Sequence, residues 1–282
     1  MAVKIVTDSV ADLPAQVAND LGITVVPLTV SFGSEVYRDG VDLTADQFYK
    51  KLKASRIFPT TSAPPPVAFA EVFDELAEKA EQIIVLTISA KLSGTHDAAL
   101  QGTRLMKKRC RVEVIDSQLA TIAQGFIAMK AAQAAKSGAS LDEVVEVVQK
   151  NIPRSEILAA FDTLEYLRRG GRIGAAKAYL GSMLNVNPLV TLKNGVVKPA
   201  GRTRSRSKAI DNLFAFVNNY SSVDELAVEY TACREDAEAL IDRLAAIFPK
   251  ERIYRSRMTP VIGTHTGPGL LVVAVLGDRV SS

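Results

Sequence analysis

Short apolar runs in the first half of the chain each end in hydroxyl or acidic side chains. Three runs have the length of a buried strand: residues 3–6, 83–86 and 112–115. They lead into Thr7-Asp8-Ser9, Thr87-Ile88-Ser89 and Asp116-Ser117. Three other segments show helical spacing of apolar positions: residues 67–80, 95–108 and 120–136. This alternation predicts an α/β domain with a doubly wound, mainly parallel sheet, in which the polar segments share the carboxyl edge.

The second half mixes a hairpin signal with longer connections. Asn194-Gly195 separates two apolar runs at 189–192 and 196–197, which is typical of a two-residue hairpin. Further strands are predicted at 157–161, 226–230, 252–254 and 270–276, and helices at 175–184, 207–218 and 236–248. We therefore expect an N-terminal α/β domain at residues 1–160 and a C-terminal α+β domain at residues 161–282.

The composition is that of an ordinary globular protein. The 282 residues are 48% apolar and 23% charged, which excludes disordered and fibrous classes. The longest apolar run, residues 270–276, is far shorter than the ~20 residues of a transmembrane helix. The first residues lack the apolar stretch of a signal peptide, and Cys110 and Cys233 match no zinc or redox spacing. These features predict a cytoplasmic protein with reduced thiols.

A nearly balanced net charge of +3 hides a strongly basic segment. Residues 168–208 contain ten basic side chains and no acidic ones, which leaves −7 for the rest of the chain. The ten are Arg168, Arg169, Arg172, Lys177, Lys193, Lys198, Arg202, Arg204, Arg206 and Lys208. Such a segment favours a phosphorylated ligand, an acidic protein surface or nucleic acid. Nucleic acid is favoured least, because Tyr179 is the only aromatic side chain there.

Common catalytic motifs are absent from the sequence. There is no nucleophile elbow, no phosphate-binding Gly-rich loop and no His-Glu-x-x-His, and His96 and His265 are the only histidines. A hydrolase, an ATPase or a histidine-based metal site acting alone is therefore disfavoured.

Residues 59–66 place Thr60, Thr61 and Ser62 before three prolines. Proline fixes φ and cannot donate a backbone hydrogen bond, so this segment predicts a stiff loop that presents hydroxyl groups. The alternative is a structural Ser/Thr turn that leads into the helix at Val67.

Residues 89–96 join a buried strand to a helix at Ser93-Gly94-Thr95. The free amides and dipole at a helix start favour a bound carboxylate or phosphate. Alternatively, Ser93 and Thr95 serve only as N-caps.

A third segment, Gly263-Thr264-His265-Thr266-Gly267-Pro268-Gly269, holds a histidine among glycines and a proline. It predicts a constrained loop in which the His265 ring donates to an oxyanion, with a structural histidine as the alternative.

Taken in order, six segments resemble the motifs of the DegV family of bacterial fatty-acid-binding proteins. They are Val3-Lys4-Ile5-Val6-Thr7-Asp8-Ser9, Thr61-Ser62-Ala63-Pro64, Ser89-Ala90-Lys91-Leu92-Ser93-Gly94-Thr95, Val114-Ile115-Asp116-Ser117, Leu164 through Gly170-Gly171-Arg172-Ile173, and the glycine-rich segment around His265. The resemblance spans nearly the whole chain. It implies two α/β domains with one long-chain fatty acid in a tunnel between them.

The resemblance also implies how the carboxylate is bound. Thr61, Ser93 and a hydrogen-bond network that includes His265 match the family's carboxylate ligands. The other candidates from the same motifs are Ser62, Gly94, Thr264 and Thr266. Many relatives carry Gln where this chain has Ala63, so a polar side chain beside the head group is missing.

Some members of the family are the lipid-binding subunit of fatty acid kinase in phospholipid metabolism. In these members, a separate kinase that holds ATP and Mg²⁺ phosphorylates the presented carboxylate to an acyl phosphate. Arg172, Arg202 and Arg204 resemble residues tied to kinase docking or transfer, although Arg172 could instead cap the domain interface. We expect this chain to bind no cofactor, metal ion or nucleic acid. Transient contact with a membrane is compatible with the sequence.

The size of the hydrophobic effect favours a carrier whose affinity for its ligand comes from burial of the acyl chain. Enclosing about fourteen methylenes of a sixteen-carbon acid is worth ~11 kcal/mol before the costs of binding. Two other functions remain as alternatives. One is a stand-alone phosphotransferase or hydrolase that uses Ser93 and His265, and the other is a regulatory module that uses the basic segment 168–208.

Overall fold

A computed structural model describes residues 3–182 and 186–280. Within these residues the strands are β1 (Val3–Asp8), β2 (Ile23–Val26), β3 (Thr29–Phe32), β4 (Glu35–Arg38), β5 (Thr60–Ser62), β6 (Gln82–Thr87), β7 (Arg111–Asp116), β8 (Ser155–Ala160), β9 (Asn187–Lys193), β10 (Val196–Thr203), β11 (Tyr220–Tyr230), β12 (Ile253–Arg257) and β13 (Leu271–Arg279). The α-helices are α1 (Ala15–Leu21), α2 (Ala45–Ala54), α3 (Pro66–Leu76), α4 (Thr95–Leu105), α5 (Ile122–Lys136), α6 (Leu141–Asn151), α7 (Glu165–Arg169), α8 (Arg206–Val217), α9 (Arg234–Leu244) and α10 (Pro260–Thr266).

The first sheet has the strand order β2-β1-β6-β7, and all its strands are parallel. Helices α3 and α4 cover one face through Phe69, Phe73 and Ala99, while α5 covers the other. This is the doubly wound arrangement that the sequence predicts. Because parallel strands end at the same edge, Asp8, Thr87 and Asp116 lie together there.

The second sheet has the order β10-β9-β8-β13-β11-β12 and is antiparallel except for the β11–β12 pair. Helices α8 and α9 pack on one face. The predicted hairpin is confirmed: Asn194 and Gly195 have φ of 53° and 76°, as a type I′ turn requires. The fold class is therefore confirmed. The domain boundary at residue 160 stays a prediction, and the strand that precedes it, β8, pairs within the second sheet.

Helix α5 connects the two halves. It packs on β1 of the first sheet and on β8 and β13 of the second, so its side chains are buried on nearly every side. This explains why its apolar residues do not form one narrow stripe.

A small antiparallel sheet, β4-β3-β5, corrects one prediction. Residues 60–62 form strand β5 rather than a loop or a Ser/Thr turn, because their backbone pairs with Thr29, Val30 and Ser31 of β3. A three-residue strand that pairs with a distant segment leaves no periodic signal in the sequence.

Two other segments also differ from expectation. Gly263 to Thr266 belong to helix α10 rather than to a loop, which begins only at Gly267. The glycines of this segment predict a loop. The segment is helical instead, and Pro260 at the first position of the helix favours a helix start there. The helix predicted at 175–184 is a 3-10 helix at Gly174–Ser182, and its last two predicted residues lie outside the described residues.

Candidate functional site

A cavity lies between the two halves of the chain. It encloses about 790 Å³ of empty space, including the space at its open mouth. Apolar side chains of both halves line it, including Leu28, Ile88, Ala120, Ile157, Phe161 and Val272. This lining is typical of a small-molecule site that takes an apolar ligand.

Thr61 brings a hydroxyl group from the small sheet into this cavity. Side chains alternate along β5, so Thr60 and Ser62 are exposed while Thr61 lines the cavity. Thr61 Oγ1 lies 2.8 Å from His265 Nε2. The structure thus brings together two of the predicted carboxylate ligands, whereas Ser62 is not among the residues that line the cavity.

His265 reaches the cavity from the last turn of α10. Burial, and then the positive charge of Arg172, lower the pKa of His265 to about 4. The ring is therefore neutral at pH 7, and a neutral imidazole still has one N–H to donate. Its Nδ1 is buried and has no hydrogen-bond partner among the described residues. The backbone at Gly170 packs against that nitrogen, where a Cβ would lie only 2.2 Å away.

The glycines of the His265 segment allow α10 to pack closely. A Cβ at Gly263 would lie 2.6 Å from the Phe48 ring and 2.6 Å from the Tyr49 hydroxyl oxygen, both on α2. A Cβ at Gly267, which has φ +70°, would lie 2.2 Å from Tyr166 of α7. Glycine at these positions therefore sets how close His265 comes to the opposite wall of the site.

The two threonines beside His265 have different surroundings. Thr266 lines the cavity, and its hydroxyl donates to Ile262 O within the helix at 2.9 Å. Thr264 is fully buried, donates to Pro260 O in the same way, and is not among the residues that line the cavity.

Ser93 also lines the cavity, just before α4. Its Oγ lies 2.8 Å from Thr95 Oγ1, and Thr95 is fully buried. The N-cap of α4 is Gly94, which has no capping side chain, so the interpretation of Ser93 or Thr95 as N-caps is wrong. A Cβ at the exposed Gly94 would contact nothing within 4 Å.

Arg172 is both a cavity residue and a bridge between the halves. Its Nε donates to Leu92 O at 3.1 Å, and its Nη1 donates to Gly170 O at 2.7 Å. It lines the cavity near His265 and also contacts the N-terminal half at Leu92, which fits the interpretation that it caps the interface, while a role in kinase docking or transfer stays a prediction. Arg202 stacks on Tyr179 at 5.0 Å, and Arg202 and Arg204 are both exposed outside the cavity lining.

The basic segment is less strongly charged in the fold than in the sequence. Arg168 pairs with Glu165 at 2.6 Å, and Lys208 lies 3.5 Å from Asp211. Arg206 pairs with Asp162 and Asp236 and also donates to Gly269 O. These acidic partners lie outside residues 168–208 in the sequence but beside its arginines in the fold, so the net charge of the region is lower than +10.

Several residues at the base of the cavity were not singled out from the sequence. Thr121 lines the cavity with an unusual φ of 60°, and the next residue, Ile122, donates its N–H to the buried carboxyl group of Glu229. None belongs to a catalytic motif. In the sequence, only the polar residues at the ends of β1 and β7 indicated that the segments that follow these two strands come together.

Metal clusters and membrane-spanning helices are both absent from the described residues. Within residues 3–182 and 186–280, no three His, Cys, Asp or Glu side chains form a group that could hold a metal ion. No helix in the same ranges is long and apolar enough to cross a membrane. The expectation that the chain carries no cofactor stays a prediction.

Comparisons with known proteins place these features in a family. The model of the DegV family, described as uncharacterised proteins, matches residues 2–278. A DegV domain-containing protein of Streptomyces coelicolor is 41% identical over 277 residues, covering 97% of this chain and 98% of the relative. A DegV family protein from Thermus thermophilus, described for its fatty acid binding, superposes with a TM-score of 0.90 at 35% identity, covering 98% of this chain and 100% of the other. DegV from Bacillus subtilis, described as a fatty acid binding protein, gives 0.89 at 30% identity, with coverage of 99% and 100%.

Proposed function

Because the chain belongs to the DegV family, we propose that it binds a long-chain fatty acid in the cavity between its halves. In this proposal the carboxylate lies at the end formed by Thr61, Ser93 and His265. The chain then presents that carboxylate to a separate ATP-dependent kinase, which converts it to an acyl phosphate. The observation that carries the proposal is one apolar cavity whose hydroxyl, imidazole and guanidinium groups include the Thr61–His265 pair.

The chemistry of this end suits a carboxylate. A carboxylate withdrawn from water costs several kcal/mol unless hydrogen-bond donors replace the lost water. Thr61 and Ser93 each have a hydroxyl proton that can turn toward the ligand, and the neutral His265 ring has one N–H. Arg172 adds a positive charge nearby. The apolar remainder of the cavity accommodates the acyl chain, which supplies most of the affinity.

The kinase step is supported by the position of the arginines. Arg172 at the polar end would neutralise charge that develops on the carboxylate during phosphoryl transfer. Arg204 is exposed, so its side chain can meet an acidic surface of the kinase, and Arg202 is exposed beside it while it stacks on Tyr179. ATP and Mg²⁺ belong to the kinase in this scheme. The chain would act in the cytoplasm, as a substrate-binding subunit in phospholipid metabolism.

The geometry gives less support to a stand-alone hydrolase or phosphotransferase. A nucleophile needs a base within hydrogen-bond reach, yet Ser93 Oγ contacts Thr95 while His265 contacts Thr61. With a pKa near 4, His265 would also be a weak general base at neutral pH.

Mass spectrometry of the denatured, purified protein tests this function. We expect a co-purified long-chain fatty acid, and rebinding of oleate after the ligand is stripped. The loaded protein with ATP and Mg²⁺ should give no acyl phosphate alone, and should give it once a DegV-partner kinase is added. A protein that is empty and binds neither oleate nor palmitate would refute the carrier role. Acyl phosphate formed without the kinase would establish the stand-alone enzyme instead.

A further inference from the structure

Helix α10, which carries His265 in its last turn, is capped by a side chain from the other half of the chain. Its own N-cap residue, Thr259, makes no capping hydrogen bond with its side chain, and Pro260 at the first position has no N–H to donate. The first amide within the helix is therefore that of Val261. Asp39 Oδ1 accepts from this amide at 3.1 Å, so Asp39 supplies the cap that the helix sequence lacks.

Asp39 is itself held in one orientation. It is 3% exposed, and its Oδ2 accepts from the Ser9 hydroxyl at 2.7 Å. Ser9 Oγ accepts in turn from Leu28 N at 3.1 Å, and Leu28 O accepts from Asp39 N at 2.8 Å. Both carboxylate oxygens of Asp39 thus have donors. The side chain cannot turn away from α10 without breaking hydrogen bonds in a buried site, which is costly.

The capping residue and Thr61 are connected through the same small sheet. Asp39 directly follows β4, Thr61 lies on β5, and β3 pairs with both strands. Paired backbone therefore runs from Thr61 across β3 and β4 to Asp39, whose side chain continues the connection into α10. The contact of 2.8 Å between Thr61 and His265 closes this connection into a ring. Because α10 is only seven residues long, a displacement of its first turn also displaces His265.

A second buried acid contacts the start of α10 but connects it to a different element. Asp12 Oδ1 accepts from Thr259 N at 3.1 Å, and Asp12 ends the short 3-10 turn that follows β1. This bond fixes the residue before the helix relative to the first sheet. The bond from Asp39 fixes the first turn of the helix relative to the sheet that carries Thr61.

We propose that Asp39 is a positioning residue of the cavity, because its cap on α10 sets where the His265 ring meets Thr61. This role requires an acceptor oxygen at the Val261 N–H and does not require a negative charge. Its consequence for fatty acid binding rests on the proposed function, whereas the position of the ring does not.

The position of the ring can be measured without any ligand, because the chain has only two histidines. In untagged, ligand-stripped protein with ¹⁵N-labelled histidine, the imidazole NMR spectrum reports His265 and His96. His96 is the internal reference, since its Nδ1 lies 3.2 Å from Thr87 Oγ1 in the first sheet. Thr61→Val assigns the His265 signals and shows where they lie when the contact is lost. In Asp39→Ala we expect the His265 signals to move toward that position while those of His96 stay unchanged.

Asp39→Asn is the rescue variant for this experiment. Its amide oxygen still accepts from Val261 N and its amide N–H can donate to Ser9 Oγ, so we expect the His265 signals of the wild type. Asp42→Ala is the matched control. It removes an exposed acid three residues further along, whose side chain bonds to the end of β4 instead. Unchanged His265 signals in folded Asp39→Ala, or equal displacements in Asp39→Ala and Asp39→Asn, would overturn the proposal.

Ser9→Ala decides the question if Asp39→Ala does not fold. It leaves the Asp39 carboxylate in place and removes the hydroxyl group that orients it. We expect the His265 signals to move in the same direction as in Thr61→Val, by a smaller amount. Wild-type His265 signals in Ser9→Ala would then overturn the positioning role.

A fluorescence titration with cis-parinaric acid tests the link to the ligand. We expect Asp39→Ala to raise Kd by roughly tenfold in the wild-type background. In the Thr61→Val background the increase should be much smaller, because the pair that Asp39 positions is already broken there. Equal fold-changes in the two backgrounds would overturn the link. A wild type that binds neither cis-parinaric acid nor oleate would refute the fatty acid role, while the NMR spectra would still decide the role of Asp39.

Discussion

Thr61 and His265 form the contact on which the candidate site depends most. They come from opposite halves of the chain, and their side chains meet at 2.8 Å in the cavity. Because His265 is neutral, the pair can offer hydrogen bonds to a carboxylate without adding a charge of its own. In the proposed complex, Arg172 then balances the negative charge of the carboxylate. The Thr61 hydroxyl and the His265 ring orient that carboxylate.

Replacing Thr61 with valine should weaken fatty acid binding without harming the fold. Valine keeps the shape and the strand propensity of threonine but cannot donate to a carboxylate. The loss of a hydrogen bond to a charged group costs about 2 kcal/mol, or roughly thirtyfold in Kd. A fluorescence titration with cis-parinaric acid measures this change.

Thr60→Val is the matched control for this experiment, since Thr60 is exposed on the same strand. We expect it to bind the probe like the wild type. Equal affinities for the wild type and Thr61→Val would remove Thr61 from the set of carboxylate ligands.

At the scale of elements, the site depends on how closely α10 packs against α7. Gly170 ends α7 with a φ of −76°, which any residue can adopt, yet a Cβ there would lie 2.2 Å from His265 Nδ1. The glycine is therefore required by the neighbouring ring and not by its own backbone.

Gly170→Ala should displace the His265 ring and weaken binding. Overpacking at such a contact costs about 1–3 kcal/mol, so we expect a lower Tm together with a Kd that rises by about tenfold. Gly94→Ala is the control, because its Cβ would meet nothing within 4 Å and its backbone N–H is retained. If Gly170→Ala left both Tm and Kd unchanged, the packing of Gly170 would not position His265.

The elements with strong local signals could be predicted from the sequence. Strands β1, β6 and β7 contain short, largely apolar runs, and the β9–β10 hairpin carries Asn194-Gly195 at its turn. Strand β5 and helix α10 could not, because β5 exists only through its pairing with β3, and α10 contains residues that locally favour a loop. The motifs nevertheless indicated Thr61, Ser93 and His265, which the fold brings to one cavity.

The buried carboxyl groups were beyond sequence reasoning for a different reason. Asp12 and Glu229 are 217 positions apart in the sequence. No pattern in the neighbouring residues indicates that either carboxyl group is buried. Only the packing of the two halves buries them, with α5 contacting β1 of the first sheet and β8, β11 and β13 of the second. Polar residues at a junction between halves acquire their role from the tertiary structure alone.

At the scale of the whole molecule, the charge distribution separates arginines that support the fold from those available to a partner. Arg206 is tied to Asp162, Asp236 and Gly269 O, so it anchors α8 to the loop before β13. Arg204, two residues earlier, is exposed. Arg172 serves both the cavity and the interface, so its removal would mix two effects.

Arg204→Ala therefore gives the cleaner test of kinase docking. We expect its Tm and its Kd for cis-parinaric acid to equal those of the wild type, since Arg204 lies outside the cavity lining. Formation of acyl phosphate by the added kinase should slow severalfold at low salt, and the difference should shrink as salt screens the interaction. Arg206→Ala is the contrasting variant, because losing its partners should lower Tm whether or not a kinase is present. If Arg204→Ala supported the kinase at the wild-type rate at every salt concentration, docking would have to use another part of the basic segment.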